Sequence, residues 1–337
     1  MDRVSKEYVV DTLNHKEPDR IPYHVDFTSQ AFDRMADYTR DPCFAVPFAP
    51  YLHSIQYWGW PTEAPGNSGF FKDDFGVLWN RNGADKDIGV IGTPVIHKPD
   101  LTLWSDPKPD EARLRTEFQA IIDSASGRFT IAGIGFSLFE RAWSLCGMEN
   151  TLVYMLSEPE FMHGLLDRIC EVNLKLIDIA NEYPFDGFYF GDDWGQQRGL
   201  IMGPKLWREF IKPRLKLLYA RASKNGKYVI QHSCGDIREL LPDLIDIGLS
   251  CYQTFQPEIY DIEKTKSEFG RDLSFWGGIS TQRLLSRASP GDVRRETTRV
   301  MEIMGKGGGY IAGPTHAVPG DVPPENILTM FDVFVNQ

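Results

Sequence analysis

The chain has 337 residues, 42% of them hydrophobic, enough for the core of an α/β barrel of ordinary size. Its formal net charge is −11 and it holds no run of Lys and Arg, so nucleic acid and anionic membrane surfaces are not expected partners. Five cysteines (Cys43, Cys146, Cys170, Cys234, Cys251) lack CxxC spacing, the first residues are too charged to open a secretory signal, and no apolar run is long enough to span a bilayer; a cytoplasmic protein is expected.

In chain order, residues 4–14 read as a short helix. A turn at Pro18-Asp19-Arg20-Ile21-Pro22 leads into a strand at 23–27. Residues 40–110 are rich in Pro, Gly and Trp and poor in helical periodicity; an irregular cap with a β-hairpin around 74–79 is expected there. From about residue 110, helical stretches near 110–126, 148–181, 204–224, 236–246, 258–268, 280–287, 290–305 and 323–335 alternate with short apolar runs. Those runs are 129–133, 187–190, 228–231, 251–254, 273–277 and 310–312. With 23–27 they make seven candidate strands, each but the first followed by a helix. Repeated units of this kind argue for parallel β and for a (β/α)8 TIM-like barrel, with an eighth strand unaccounted for. The chain reads as one barrel domain over 1–337, with 1–110 as N-terminal extension and cap and 111–337 as the main part.

Barrel chemistry sits at the C-terminal ends of the strands. Polar residues recur there: Asp26, Glu140, Asp192 and Asp193, His232 and Cys234, Gln253 and Gln256, Ser280 and His316. In His232-Ser233-Cys234-Gly235 the two ligand-type residues are two apart on a strand and face one side. His316, 82 residues beyond Cys234, follows another strand-like stretch. One thiolate and two imidazoles converging would make a zinc site with an open fourth position, the catalytic kind; the plainer alternative is a buried thiol and two hydrogen-bonded histidines. Asp192-Asp193 lies between Gly191 and Trp194-Gly195. Adjacent carboxylates repel, so one could hold a raised pKa and act as a proton donor; the alternative is an N-cap or an Arg partner that merely orders the loop. Gly133-Ile134-Gly135 lacks the rest of a dinucleotide fingerprint, Gly307-Gly308-Gly309 precedes a strand rather than opening a helix, and there is no GxSxG.

Several segments together resemble the uroporphyrinogen decarboxylase superfamily, and within it the corrinoid-dependent methyltransferases. They are Glu17-Pro18-Asp19-Arg20-Ile21-Pro22, Asp74-Phe75-Gly76-Val77-Leu78-Trp79, Phe139-Glu140-Arg141-Ala142-Trp143, Gly191-Asp192-Asp193-Trp194-Gly195, Pro204-Lys205-Leu206-Trp207-Arg208, His232-Ser233-Cys234-Gly235 and Phe275-Trp276-Gly277-Gly278-Ile279. The stretch from Trp79 to Gly89 looks most like members that demethylate methoxylated aromatics. The resemblance implies a barrel fold and transfer of a methyl group from a small-molecule methyl donor to the cob(I)alamin of a partner corrinoid protein. Porphyrinogen decarboxylation is disfavoured, because the first 40 residues lack the Arg-rich motif of those members. Members that methylate thiols bind zinc through His-X-Cys and a later Cys. His232 and Cys234 match, whereas His316 stands where the later Cys would be. One thiolate fewer leaves zinc a stronger Lewis acid, better suited to an ether oxygen than to delivering a thiolate. The expected catalytic residues are Asp192, Asp193 and Glu140; the expected substrate-binding residues are Asp26, Trp194, Gln253 and Trp276; the expected zinc ligands are His232, Cys234 and His316. A thiol methyltransferase and a non-catalytic corrinoid- or tetrapyrrole-binding protein are the alternatives.

Overall fold

The structure is a computed structural model in which residues 5–83 and 86–337 are described. Seven parallel strands form a curled sheet: β1 (Leu52–Tyr57), β2 (Phe129–Ile134), β3 (Gly187–Gly191), β4 (Tyr228–His232), β5 (Cys251–Phe255), β6 (Ser274–Ile279) and β7 (Tyr310–Pro314). Each pairs with the next in sequence. Strands β2, β5, β6 and β7 are buried at every position, as expected where helices cover one face and the opposite face packs inside a barrel. Helix Pro159–Ala180 buries Phe161, Met162, Leu165, Leu166, Ile169, Val172, Asn173, Leu176 and Ile177, the three-to-four spacing of one helical face.

Six of the seven expected strands are present, and the first one differs. Residues 23–27 form no continuous strand; Tyr23 bridges Ala312 of β7, and Phe27 bridges Val318, four residues beyond the end of β7. The backbone N–H of Val25 donates to the carbonyl of Phe48 at 3.1 Å on the other side, so this segment lies as an eighth stave between β7 and the turn Val46–Phe48 that leads into β1. The unaccounted strand is β1, inside the stretch expected to be irregular cap. Leu-His-Ser-Ile-Gln-Tyr interleaves polar and apolar residues, and this hides it from a search for apolar runs.

The rest of that stretch is a cap. A four-stranded antiparallel sheet runs through Thr62–Glu63, Phe70–Lys72, Leu78–Asn80 and Val90–Ile91, and contains the expected hairpin. Asp73 shapes the hairpin turn: its Oδ1 accepts the backbone N–H of Phe75 at 3.0 Å and of Val77 at 2.9 Å. Its Oδ2 takes the indole N–H of Trp79 at 3.0 Å and Nη1 of Arg141 at 2.8 Å, both groups fully buried. Arg141 also donates to the carbonyl of Trp58 at 2.7 Å, so one ion pair ties the cap, the end of β1 and the barrel together.

Two helices were not anticipated, Ser29–Thr39 and Phe139–Cys146. The long stretch expected over 148–181 is two helices, Met148–Ser157 and Pro159–Ala180, divided where Pro159 cannot donate to the preceding turn. Among the described residues no helix is long and apolar enough to cross a membrane.

Candidate active site

His232 ends β4, Cys234 lies two residues beyond it, and His316 follows β7 by two residues. The barrel's curl brings these three side chains together, with their ligand atoms all within 4.8 Å of one another. His232 Nε2 lies 3.5 Å from Cys234 Sγ. A tetrahedral zinc with bonds of about 2.3 Å to sulfur and about 2.0 Å to nitrogen places those two atoms about 3.5 Å apart, so the donors fit the ion. The Nδ1–H of His232 donates to Oε1 of Gln253, which also accepts the Tyr189 hydroxyl at 2.9 Å. That bond turns Nε2 toward the cluster, the arrangement by which ligating histidines are usually oriented.

The local field favours positive charge at this point. Burial alone would lower the pKa of His232, but Tyr189, Cys234 and Asp193 outweigh it and hold the imidazole well above its ordinary value. Asp193 Oδ1 lies 3.3 Å from His232 Nε2 and accepts the backbone N–H of Cys234 at 2.8 Å. Burial pushes its carboxyl up, yet the hydrogen bond and charge of His232 bring it below the usual carboxylate range. Burial and then His232 lower the pKa of His316.

The two neighbouring aspartates part company. Asp193 faces the cluster and lines a cavity of about 400 Å³ over the strand ends. Asp192 points the other way and is fully buried. Its carboxylate accepts the backbone N–H groups of Leu138, Phe139 and Glu140 at 3.3, 3.0 and 2.8 Å, and the indole N–H of Trp194 at 2.6 Å. It thereby satisfies the open N-terminus of helix Phe139–Cys146. Burial, offset by these bonds, pushes it up to about 6. The site thus holds Asp192 behind the cavity wall, in the helix-capping role. Glu140, in the first turn of that helix, does line the cavity. Burial, then the charges of Asp193 and Asp192, raise its carboxyl well above the ordinary range.

Of the residues expected to meet substrate, Asp26 and Gln253 line the cavity. Asp26 bonds Nε2 of His24 at 3.0 Å while 69% of its side chain stays open to the hollow. Its burial within the barrel works upward, but His24 and then His316 hold the carboxyl below its usual value. Trp194 is fully enclosed, edge-on to Trp207, and Trp276 lies beneath the floor, edge-on to His24 and Tyr189; neither lines the cavity. The aromatic walls are instead Trp58, Phe136 and Tyr189. Phe136 takes a positive φ of 52°, held there by packing against Trp58, Trp79 and Trp143. Gln56 reaches the cavity from β1, a strand that a search for apolar runs does not find; the alternation of Ser54 and Gln56 with Ile55 is the signal that marks it.

Comparison with known proteins agrees with this architecture. Residues 81–336 match the family described as uroporphyrinogen decarboxylase (URO-D). A methylated-thiol–coenzyme M methyltransferase of Methanosarcina mazei is 22% identical over 244 residues, 72% of this chain. That match spans 63% of the relative, less than two thirds of its length. A uroporphyrinogen decarboxylase of Pseudoalteromonas atlantica is 20% identical over 179 residues, 52% of this chain and 48% of that one. The solved structure of a methyltransferase from Methanosarcina mazei superposes with a TM-score of 0.73 at 15% identity, covering 99% of both chains, which establishes the shared barrel-type fold. With three quarters of its length inside the family match and its whole length inside that fold, the chain belongs to the uroporphyrinogen decarboxylase family.

Proposed function

We propose that this protein is a methyltransferase that moves a methyl group from a small aryl methyl ether to the cob(I)alamin of a separate corrinoid protein. The observation that carries the reading is the convergence of His232, Cys234 and His316, with the second nitrogen of His232 committed to Gln253. These three residues would hold zinc, which supplies a Lewis acid for the ether oxygen. A phenolate is a poor leaving group, because its conjugate acid has a pKa near about 10. Glu140 lines the cavity, its carboxyl raised well above the ordinary range by burial and then by the charges of Asp193 and Asp192, and in this reading it is the general acid for the departing oxygen. Asp193 steadies the His-X-Cys segment through the backbone N–H of Cys234. Trp58, Phe136 and Tyr189 enclose the ring, and Asp192 fixes the helix that presents Glu140.

A second reading, transfer from methylcobalamin to a small thiol, draws on the similarity to a methylated-thiol methyltransferase. One experiment separates them. The purified protein should carry about one zinc per chain and lose it in Cys234→Ala. Wild type mixed with reduced corrinoid protein and 2-methoxyphenol should convert cob(I)alamin to methylcobalamin, followed by absorbance. Full zinc occupancy in Cys234→Ala would sink the ligand set. Failure with every methoxyarene, together with methylation of a thiol from methylcobalamin, would hand the function to the second reading.

A further inference from the structure

The cavity has a charge character that the methyl-transfer reading does not require. Four carboxyl groups line it, Asp26, Asp87, Glu140 and Asp193, and no Lys or Arg does so among the described residues. The arginines nearby are committed elsewhere. Arg141 is fully buried against Asp73, with its guanidinium 3.8 Å over the Phe75 ring. Arg81 lies across Phe71 at 4.3 Å and Trp58 at 5.7 Å, and its Nε donates to the carbonyl of Ile88. Neither lines the cavity, where the bidentate fork that carboxylate recognition normally uses would have to lie. The walls that remain are aromatic faces, Trp58, Phe136 and Tyr189, whose negative π-clouds attract cations and not anions.

We propose that the methyl donor bears no acid group, and that the cavity selects neutral or cationic methoxyarenes over methoxybenzoates. The inference rests on the aryl-ether reading above. It follows from the inventory of charges. Leaving Glu140 and Asp87 out of the count, Asp26 and Asp193 contribute two negative charges. A divalent cation sharing its ligands with one thiolate returns a single net positive charge. The sum is a surplus of negative charge around a hollow that, taken as a sphere, is about 9 Å across. A ring carboxylate placed inside it lies within that span of every lining carboxylate. At an effective dielectric of about 20, one like charge about 7 Å away weakens binding by well over tenfold, and partial screening by water leaves about tenfold. A benzylammonium of the same size meets the opposite field and the aromatic faces. Asp26 is the residue to test, since 69% of its side chain is exposed, it lines the cavity, and it has an isosteric neutral replacement.

The test titrates the full-length, zinc-loaded protein with three probes matched in shape: 4-hydroxy-3-methoxybenzoate, the corresponding benzamide and the corresponding benzylammonium. Quenching of tryptophan fluorescence, to which Trp58 in the wall contributes, reports binding. Benzoate, benzamide and benzylammonium, which carry no methyl ether, form a parallel set. The amide should bind at least tenfold more tightly than the carboxylate, and the ammonium at least as tightly as the amide. Asp26→Asn should shrink the amide-to-carboxylate ratio severalfold. A carboxylate that binds as well as its amide overturns the inference and leaves the demethylase reading standing if its methyl reaches the corrinoid. A ratio unmoved by Asp26→Asn also overturns it. If the charge order holds in the parallel set while no methoxyarene yields its methyl group, the preference stands and the aryl-ether reading fails.

Discussion

Arg141→Met should cost the protein about 3 kcal/mol. The guanidinium is completely enclosed and makes three contacts that Met cannot: Nη1 to Asp73 at 2.8 Å, Nη2 to the carbonyl of Trp58 at 2.7 Å, and a stack on Phe75. Removing one member of a buried ion pair costs about 3–5 kcal/mol, because the other charge is left without its partner. Asp73 is less exposed to that penalty than most, since the N–H groups of Phe75, Val77 and Trp79 still point at it. The loss therefore falls at the lower end of the range. Urea unfolding followed by fluorescence measures it: with a slope of about 3 kcal/mol per molar, the midpoint drops by about 1 M. Asp73→Asn removes the stranded charge, so the double variant should lose less than the sum of the two single variants by about 1.5 kcal/mol or more. A midpoint shift under about 0.3 M, or strict additivity in the cycle, would refute the claim that this pair joins cap to barrel.

Three other outcomes follow from particular contacts. A Cβ on Gly235, whose φ is +78°, would lie 2.2 Å from the carbonyl carbon of Gly195; Gly235→Ala should cost about 3 kcal/mol and strip zinc from the adjacent Cys234, and a variant with wild-type melting temperature and metal content refutes the contact. Asp192→Asn turns an amide NH₂ toward N–H donors and should cost about 2 kcal/mol of stability by urea titration; unchanged stability with slowed methyl transfer would return Asp192 to the role of proton donor. Lys266 is held by the carbonyl of Gly308, and burial lowers its pKa to about 8, with Glu17 opposing. Between about pH 8 and about 10.5 the unfolded chain binds a proton that the folded one does not, so wild-type stability should rise with pH in that window by about 1 kcal/mol relative to Lys266→Met; parallel pH profiles would count against it.

The legible parts of this sequence were those with a repeated physical signal. Strands β2, β5, β6 and β7 are buried at every position because both faces are covered, and polar residues such as His232, Gln256, Ser280 and His316 end or follow the strands at the barrel's mouth. His232, Cys234 and His316 were readable together because a period-two spacing and two strand ends predict convergence. The direction of a side chain in a loop carries no such signal. Asp192 and Asp193 are indistinguishable in sequence, and which of them caps a helix depends on helix Phe139–Cys146, itself unread. Trp194 and Trp276 were expected at the ligand because tryptophan suits it, yet bulk equally suits the packing beneath. Gln56 stayed hidden because β1 alternates where its neighbours do not.

The eighth stave gives the barrel a seam. Elsewhere neighbouring strands share registers of three to six residue pairs, but residues 23–27 meet β7 and the loop after it through two isolated bridges, Tyr23–Ala312 and Phe27–Val318. Local opening concentrates where backbone bonds are fewest. Asp26 rides on this stave, and its carbonyl takes the N–H of Val318, two residues beyond His316. A breath at the seam would therefore move a cavity carboxylate and a ligand-bearing loop in one step, widening the hollow from the side and leaving β4 and β5, which carry His232 and Gln253, undisturbed.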